Sequence, residues 1–206
     1  MYRIVVTFLL MLFTLVTFGQ NSQQRSRQQV ISKAYTAALT QVQMAQESAE
    51  MDCRMSVNLR RNFPGSGVQD YSIDYYCNPV GIVDSQETDT PMTYNAYFVR
   101  VKFNWAVRNT IKEYLVDSKT GKLMFVFCSS DDVPTNIADM TDCKYESRMY
   151  FKADGSFSHG KSQIRYLNDK IESVKTYKTD DAEVLDEVRF FAHLMEVFGQ
   201  TMNYEQ

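Results

Sequence analysis

The amino-acid sequence predicts an α+β domain: a curved antiparallel β-sheet of about seven strands in a meander, packed by an N-terminal and a C-terminal α-helix. Three observations carry this. Apolar residues recur every three to four positions near both ends of the chain and every second position between them. Clusters of Gly, Pro, Asn, Asp and Ser separate the alternating runs. One run is apolar at both parities, with Leu123, Phe125 and Phe127 interleaved with Met124, Val126 and Cys128. Such a strand sits mid-sheet with both faces covered.

The elements follow in chain order. Arg3 precedes an apolar stretch from Ile4 to Phe18 that is broken only by Thr7, Thr14 and Thr17. This reads as a secretory signal over residues 1–19, with the small Thr17 and Gly19 placed for cleavage before Gln20. A membrane anchor asks for roughly 20 apolar residues. The run is shorter, so no membrane span is expected once the signal is removed. Residues 20–29 are a polar lead-in of Gln, Ser and Arg, expected to be frayed, and residues 30–206 are expected to form a single domain. Within it Ile31, Tyr35, Ala38, Val42, Ala45 and Ala49 line one face of a helix of small residues.

After Cys53 the period changes to two. Met55, Val57 and Leu59 alternate with polar residues, as do Tyr71, Ile73 and Tyr75. Residues 78–93 show no period and read as a long loop. The strongest strand signal places Tyr97, Val99, Val101, Phe103, Trp105 and Val107 on one face. Asn109-Thr110 is expected to turn the chain into a strand from Ile111 to Val116, and residues 117–121 to turn it into the run ending at Cys128. Two strands, 144–152 and 156–166, are joined through Asp154-Gly155, residues that tolerate positive φ. Thr179, Asp180 and Asp181 then mark the start of a helix with Val184, Leu185, Val188, Phe191, Leu194, Met195 and Phe198 on its apolar face.

Cys53, Cys77, Cys128 and Cys143 are the four cysteines, and an oxidising destination favours pairing. Cys53 and Cys77 each lie twelve residues from Gly65, which sets them opposite each other in a regular hairpin. Cys128 closes one run and Cys143 opens the next. The expected disulfides are therefore Cys53 with Cys77 and Cys128 with Cys143. A zinc site would favour short cysteine spacings that no pair here has.

Motifs for catalysis are missing: no Gly-rich phosphate loop, no Gly-x-Ser-x-Gly elbow and no His-Glu-x-x-His helix is present. His193 lies off the apolar helix stripe and reads as a surface residue. His159, beside Ser158 and Gly160, has no carboxylate at motif spacing. No catalytic residue, metal ligand or cofactor is assigned. The acidic loop with Asp131, Asp132, Asn136, Asp139 and Asp142 does not follow the calcium-loop spacing and reads as solvated. Tyr97, Trp105, Tyr114, Tyr145 and Tyr150 are the candidate ligand-binding residues, because each joins a broad apolar ring to one polar tip.

The charge balance is slightly acidic, with 22 Lys and Arg against 25 Asp and Glu, and the cations are scattered. Nothing in that pattern recommends a nucleic-acid partner, and none is expected. The expected partner is an envelope or extracellular protein, or a small apolar molecule held in a cone-like fold. The segments Lys112 to Phe125 (KEYLVDSKTGKLMF) and Met149 to Phe157 (MYFKADGSF), with the signal, resemble uncharacterised exported proteins of Bacteroidetes-type Gram-negative bacteria. This resemblance implies a periplasmic or surface location and carries no catalytic residues.

Overall fold

The structure, a computed structural model, describes residues 2–47, 53–65, 67–80, 93–105, 108–131 and 143–202, with the side chains of residues 2–21, 23, 53, 63, 80 and 105 outside the description. In order the elements are α1 (Tyr2–Glu47), β1 (Cys53–Phe63), β2 (Gly67–Val80), β3 (Thr93–Trp105), β4 (Arg108–Asp117), β5 (Lys122–Ser130), β6 (Cys143–Phe151), β7 (Phe157–Tyr166), β8 (Ile171–Tyr177) and α2 (Ala182–Met202). The strands form one open antiparallel sheet in the order β1 to β8, a simple meander. The chain divides into two compact units, residues 1–37, all within α1, and residues 38–206.

The first unit corrects one expectation. The polar lead-in is helical, not frayed, and belongs to the unbroken α1. Between Gln20 and Glu47 there is no Gly or Pro, and the Gln, Arg and Ala that dominate are compatible with a helix. Among the described residues no helix is long and apolar enough to cross a membrane.

In the second unit, α2 lies across the sheet. Lys175 of β8 meets Glu183 near its start, and the Tyr75 hydroxyl of β2 donates to the Leu194 carbonyl oxygen at 2.9 Å near its end. The core between them holds Tyr75, Val99, Val101, Tyr114, Val126, Met149, Phe151 and Phe157 from the strands, with Val184, Phe191, Leu194 and Phe198 from the helix. The helix stripe is narrower than expected, because Leu185 and Val188 are exposed. Asp181 also caps differently: its carboxylate accepts from the Lys178 N–H behind it at 2.7 Å, not from the free N–H groups ahead.

Residues 38–47 of α1 belong with the opposite face of the sheet, where the Gln46 amide donates to the Tyr76 hydroxyl at 3.3 Å. That face is apolar at this end: Tyr76, Phe98, Leu115 and Phe125 are all buried. Their register partners on adjacent strands form one continuous row. With Tyr75 and Tyr76 both inaccessible, β2 is covered on both faces, as is the expected central strand β5 at Leu123, Met124, Phe125 and Val126.

Four local readings change. Asn109 and Thr110, expected in a turn, are in β4, where they pair with Asn104 and Phe103. A register shift at Tyr76 and Cys77 sets Ala96 opposite Cys77, which removes Tyr97 from the regular alternation. The eighth strand, β8, is mostly exposed, and a register shift between Ser162 and Gln163 breaks the period-two signal that would have announced it. Finally, β5 pairs on through Ser130, which sets Cys128 opposite Ser147. Cys143 lies four residues further along β6, about 13 Å away along the strand and beyond disulfide reach. The Cys128–Cys143 bridge is therefore not formed, and Cys128 is a free thiol. Cys53 and Cys77 do face each other in register, but Cys77 carries no disulfide, so the second expected bridge is not formed either; the Cys53 side chain lies outside the described residues. The loop at 81–92 and the acidic loop from Asp132 to Asp142 also lie outside them.

Candidate functional site

Reading across the sheet in register gives two neighbouring rows on opposite faces. Under α2 the row runs Val57, Ile73, Val101, Lys112, Cys128, Ser147, Ser162, Lys175. It is apolar through β3 and polar from β4 onward. Over its centre stands Glu187 of α2, whose carboxylate accepts from Lys112 Nζ and, at 2.6 Å, from the Tyr114 hydroxyl. Glu187 sits on the buried side of its helix because it falls between Val184 and Phe191 at helical spacing. Tyr114 packs against Phe191 with ring centroids 5.9 Å apart. Burial, with the Glu187 charge beside it, holds the Tyr114 phenol well above its ordinary pKa.

The neighbouring Cys128 thiol is pushed up to about 11 by burial, against a lowering influence from Lys112. It is a protonated thiol at neutral pH, and the thiolate is the nucleophilic form. Further along, the Tyr145 and Tyr177 hydroxyls are 3.0 Å apart, and burial raises the Tyr177 phenol. Tyr177 lies opposite Gly160, where an added Cβ would meet its ring at 3.2 Å and the Arg148 carbonyl oxygen at 2.7 Å. Only glycine leaves room for the ring there. The cluster is internally matched, carboxylate to ammonium and phenol, and its chemistry is to anchor α2.

On the other face the adjacent row reads Ser56, Asp74, Arg100, Glu113, Phe127, Arg148, Lys161, Thr176. Its buried carboxylates are answered by neighbours. Asp74 accepts from Arg54 at 3.0 Å and from the Ser56 hydroxyl at 2.6 Å. Arg100 meets Glu113 at 2.8 Å. Glu146, one row on, accepts from Arg165 at 2.8 Å, Gln163 at 3.0 Å and Arg148 at 3.1 Å. Burial alone would raise the Glu146 pKa, but the Arg165 and Gln163 hydrogen bonds and the two guanidinium charges bring it below the usual value.

Beyond these pairs a groove of about 620 Å³ opens across β1 to β4. Two register rows of the same face line it, Asn58-Ser72-Lys102-Ile111 and Arg60-Asp70-Asn104-Asn109. The row between them, Leu59, Tyr71, Phe103 and Thr110, also lines it but has the parity that faces α2, and Tyr71 and Phe103 stack there with ring centroids 5.1 Å apart. The exposed lining of the groove is mostly apolar, with polar side chains around it.

The five candidate tyrosine and tryptophan residues do not converge. Tyr97 is buried at the β3 irregularity. The side chain of Trp105 is outside the described residues. Tyr114 and Tyr145 point under α2 to Glu187 and Tyr177. Tyr150 is on the opposite face, stacked on His159 with centroids 4.6 Å apart and planes 6° from parallel. Burial lowers the His159 pKa. His193 is exposed, 3.7 Å from Glu196. Lys112, Glu187 and the groove rows were not singled out by sequence. The signals existed: Lys112 shares the parity of Tyr114 and Val116, and Glu187 interrupts the helix stripe.

No protein-family model, curated protein or solved structure matches this chain. Among the described residues no group of three His, Cys, Asp or Glu side chains is arranged to hold a metal ion.

Proposed function

We propose that the protein is an exported, non-catalytic binding module that works through the groove across β1 to β4. The observation that carries this reading is a groove of about 620 Å³ open to solvent, in contrast to the half-buried Lys112 and Glu187 with Tyr114 under α2, which are spent on one another. Pockets of this size accommodate small ligands. The groove's mostly apolar lining, with Leu59, Tyr71, Phe103 and Ile111, suits a small apolar molecule. A protein partner is the second reading, favoured by the β8 margin, which exposes Leu167, Ile171 and Val174.

Export is supported by the apolar leader, and in an oxidising compartment the facing Cys53 and Cys77 would be joined across β1 and β2. Native mass spectrometry of the chain secreted into such a compartment tests the reading. The expected species begins at Gln20, is lighter by the hydrogens lost in one disulfide, and carries a non-covalent mass that leaves on denaturation. A chain that keeps its leader and flies bare contradicts it.

A further inference from the structure

We propose that one flank of α2 is a self-association surface, on which a second copy of this chain packs its own α2 antiparallel to the first. The helix carries more apolar residues than the sheet buries. Val184, Phe191, Leu194 and Phe198 face the core. About a quarter turn around the helix, Leu185, Val188, Ala192, Met195 and Gly199 follow one another at alternating steps of three and four. That repeat is the seam of a helix pair. Leu185 is 44% and Val188 40% exposed, and Ala192 is exposed between them and Gly199. An added Cβ at Gly199 would meet nothing within 4 Å, so the flank is open to the close approach of another helix.

The charges beside the seam choose the occupant and its direction. Arg189 and Glu196 border it on the side away from the core. Within one chain Arg189 reaches Asp186 at 3.4 Å, and Glu196 lies 3.7 Å from His193 and accepts from the Gln200 amide at 3.3 Å. These side chains are all exposed, so such contacts hold them weakly. Two-fold antiparallel pairing can set Val188 opposite Gly199 of the second copy and Ala192 opposite its Met195, large against small. In that register Arg189 of each copy stands nearly level with Glu196 of the other. A parallel pair would set Arg189 level with Arg189 and Glu196 level with Glu196. The antiparallel contact is self-complementary and closes as a dimer. Residues 185–199 span about 21 Å of helix, a strip that buries less than about 1,200 Å² in all, so the dimer is weak and reversible, with a Kd of micromolar order.

Sedimentation equilibrium of the exported chain, from about 1 μM to about 1 mM, tests the proposal. The expected result is a monomer–dimer equilibrium that Val188→Glu weakens at least about tenfold. Val197→Glu, at a residue equally exposed on the opposite side of the same helix, is expected to leave it unchanged. Arg189→Glu and Glu196→Arg should each weaken self-association, yet an equimolar mixture of the two variants should dimerise more tightly than either alone, because opposite charges then meet at both ends of the seam. A chain that stays monomeric, its flank left to another occupant, overturns the assignment. So does a dimer indifferent to Val188→Glu, one broken equally by Val197→Glu, or charge variants that do not combine.

Discussion

The two faces of the sheet solve the same problem differently. Beneath α2, hydrophobic burial does most of the work: Tyr75, Phe151 and Val184 are almost wholly inaccessible, and the polar exceptions, Lys112, Tyr114 and Glu187, tie the helix down. One residue along each strand, the other face replaces much of that burial with paired charges, Arg54 with Asp74, Arg100 with Glu113, and Arg165 and Arg148 with Glu146. Burial of apolar surface is strong and non-directional, whereas ion pairs add little net stability once desolvation is counted but fix which groups face where. The lesson is a division of labour, in which one face holds the fold and the other presents chemistry.

The largest effect should come from the closed face. Phe151 is inaccessible and packs edge-on to Phe157 with centroids 5.8 Å apart. Phe151→Ala is expected to cost about 4 kcal/mol in a urea titration, by lost transfer energy and the cavity left behind. A cost near that of an exposed residue would deny that this face carries the stability.

A smaller loss, about 2 to 3 kcal/mol, is expected for Glu187→Ala, which leaves Lys112 and the Tyr114 hydroxyl without their acceptor. The same titration reads it. Tyr114→Phe should cost less, since Glu187 keeps Lys112. Equal costs would mean that the helix is held by apolar contact alone.

The smallest and most specific prediction concerns the charged face. Folding lowers the Glu146 pKa from 4.5, so its contribution is complete above that pH and is lost as pH falls through the lowered value. Thermal melts of the parent and Glu146→Gln should therefore differ near neutrality and converge on acidification. A difference independent of pH would show that the Glu146 charge does not contribute as the hydrogen bonds from Arg165, Gln163 and Arg148 indicate.

The same contrast explains how much of the molecule was legible in the sequence. The α2-facing side of β1 to β3 could be read directly, because Val57, Ile73 and Val101 alternate with polar residues and the alternation persists in the structure. Both helices and the buried β5 were legible for the same reason. What escaped depended on pairing between distant segments. Asn109-Thr110 has the composition of a turn, yet both residues pair within β4, with Asn104 and Phe103 of β3. The register that separates Cys128 from Cys143 is set by how far β5 pairs, and Ser129 and Ser130 gave no sign that the strand continues through them. The groove was least legible, since Asn58, Ser72 and Lys102 lie on three strands and look like ordinary solvent-facing residues until the register aligns them.

The most direct test of this division of labour is a pair of urea titrations on neighbouring residues of β3, Val101→Ala under α2 and Lys102→Ala on the other face. Val101 is inaccessible and Lys102 is exposed, so the account predicts a loss of about 2 kcal/mol for the first and less than about 0.5 kcal/mol for the second. Equal losses would contradict it, because the two faces would then hold the fold alike.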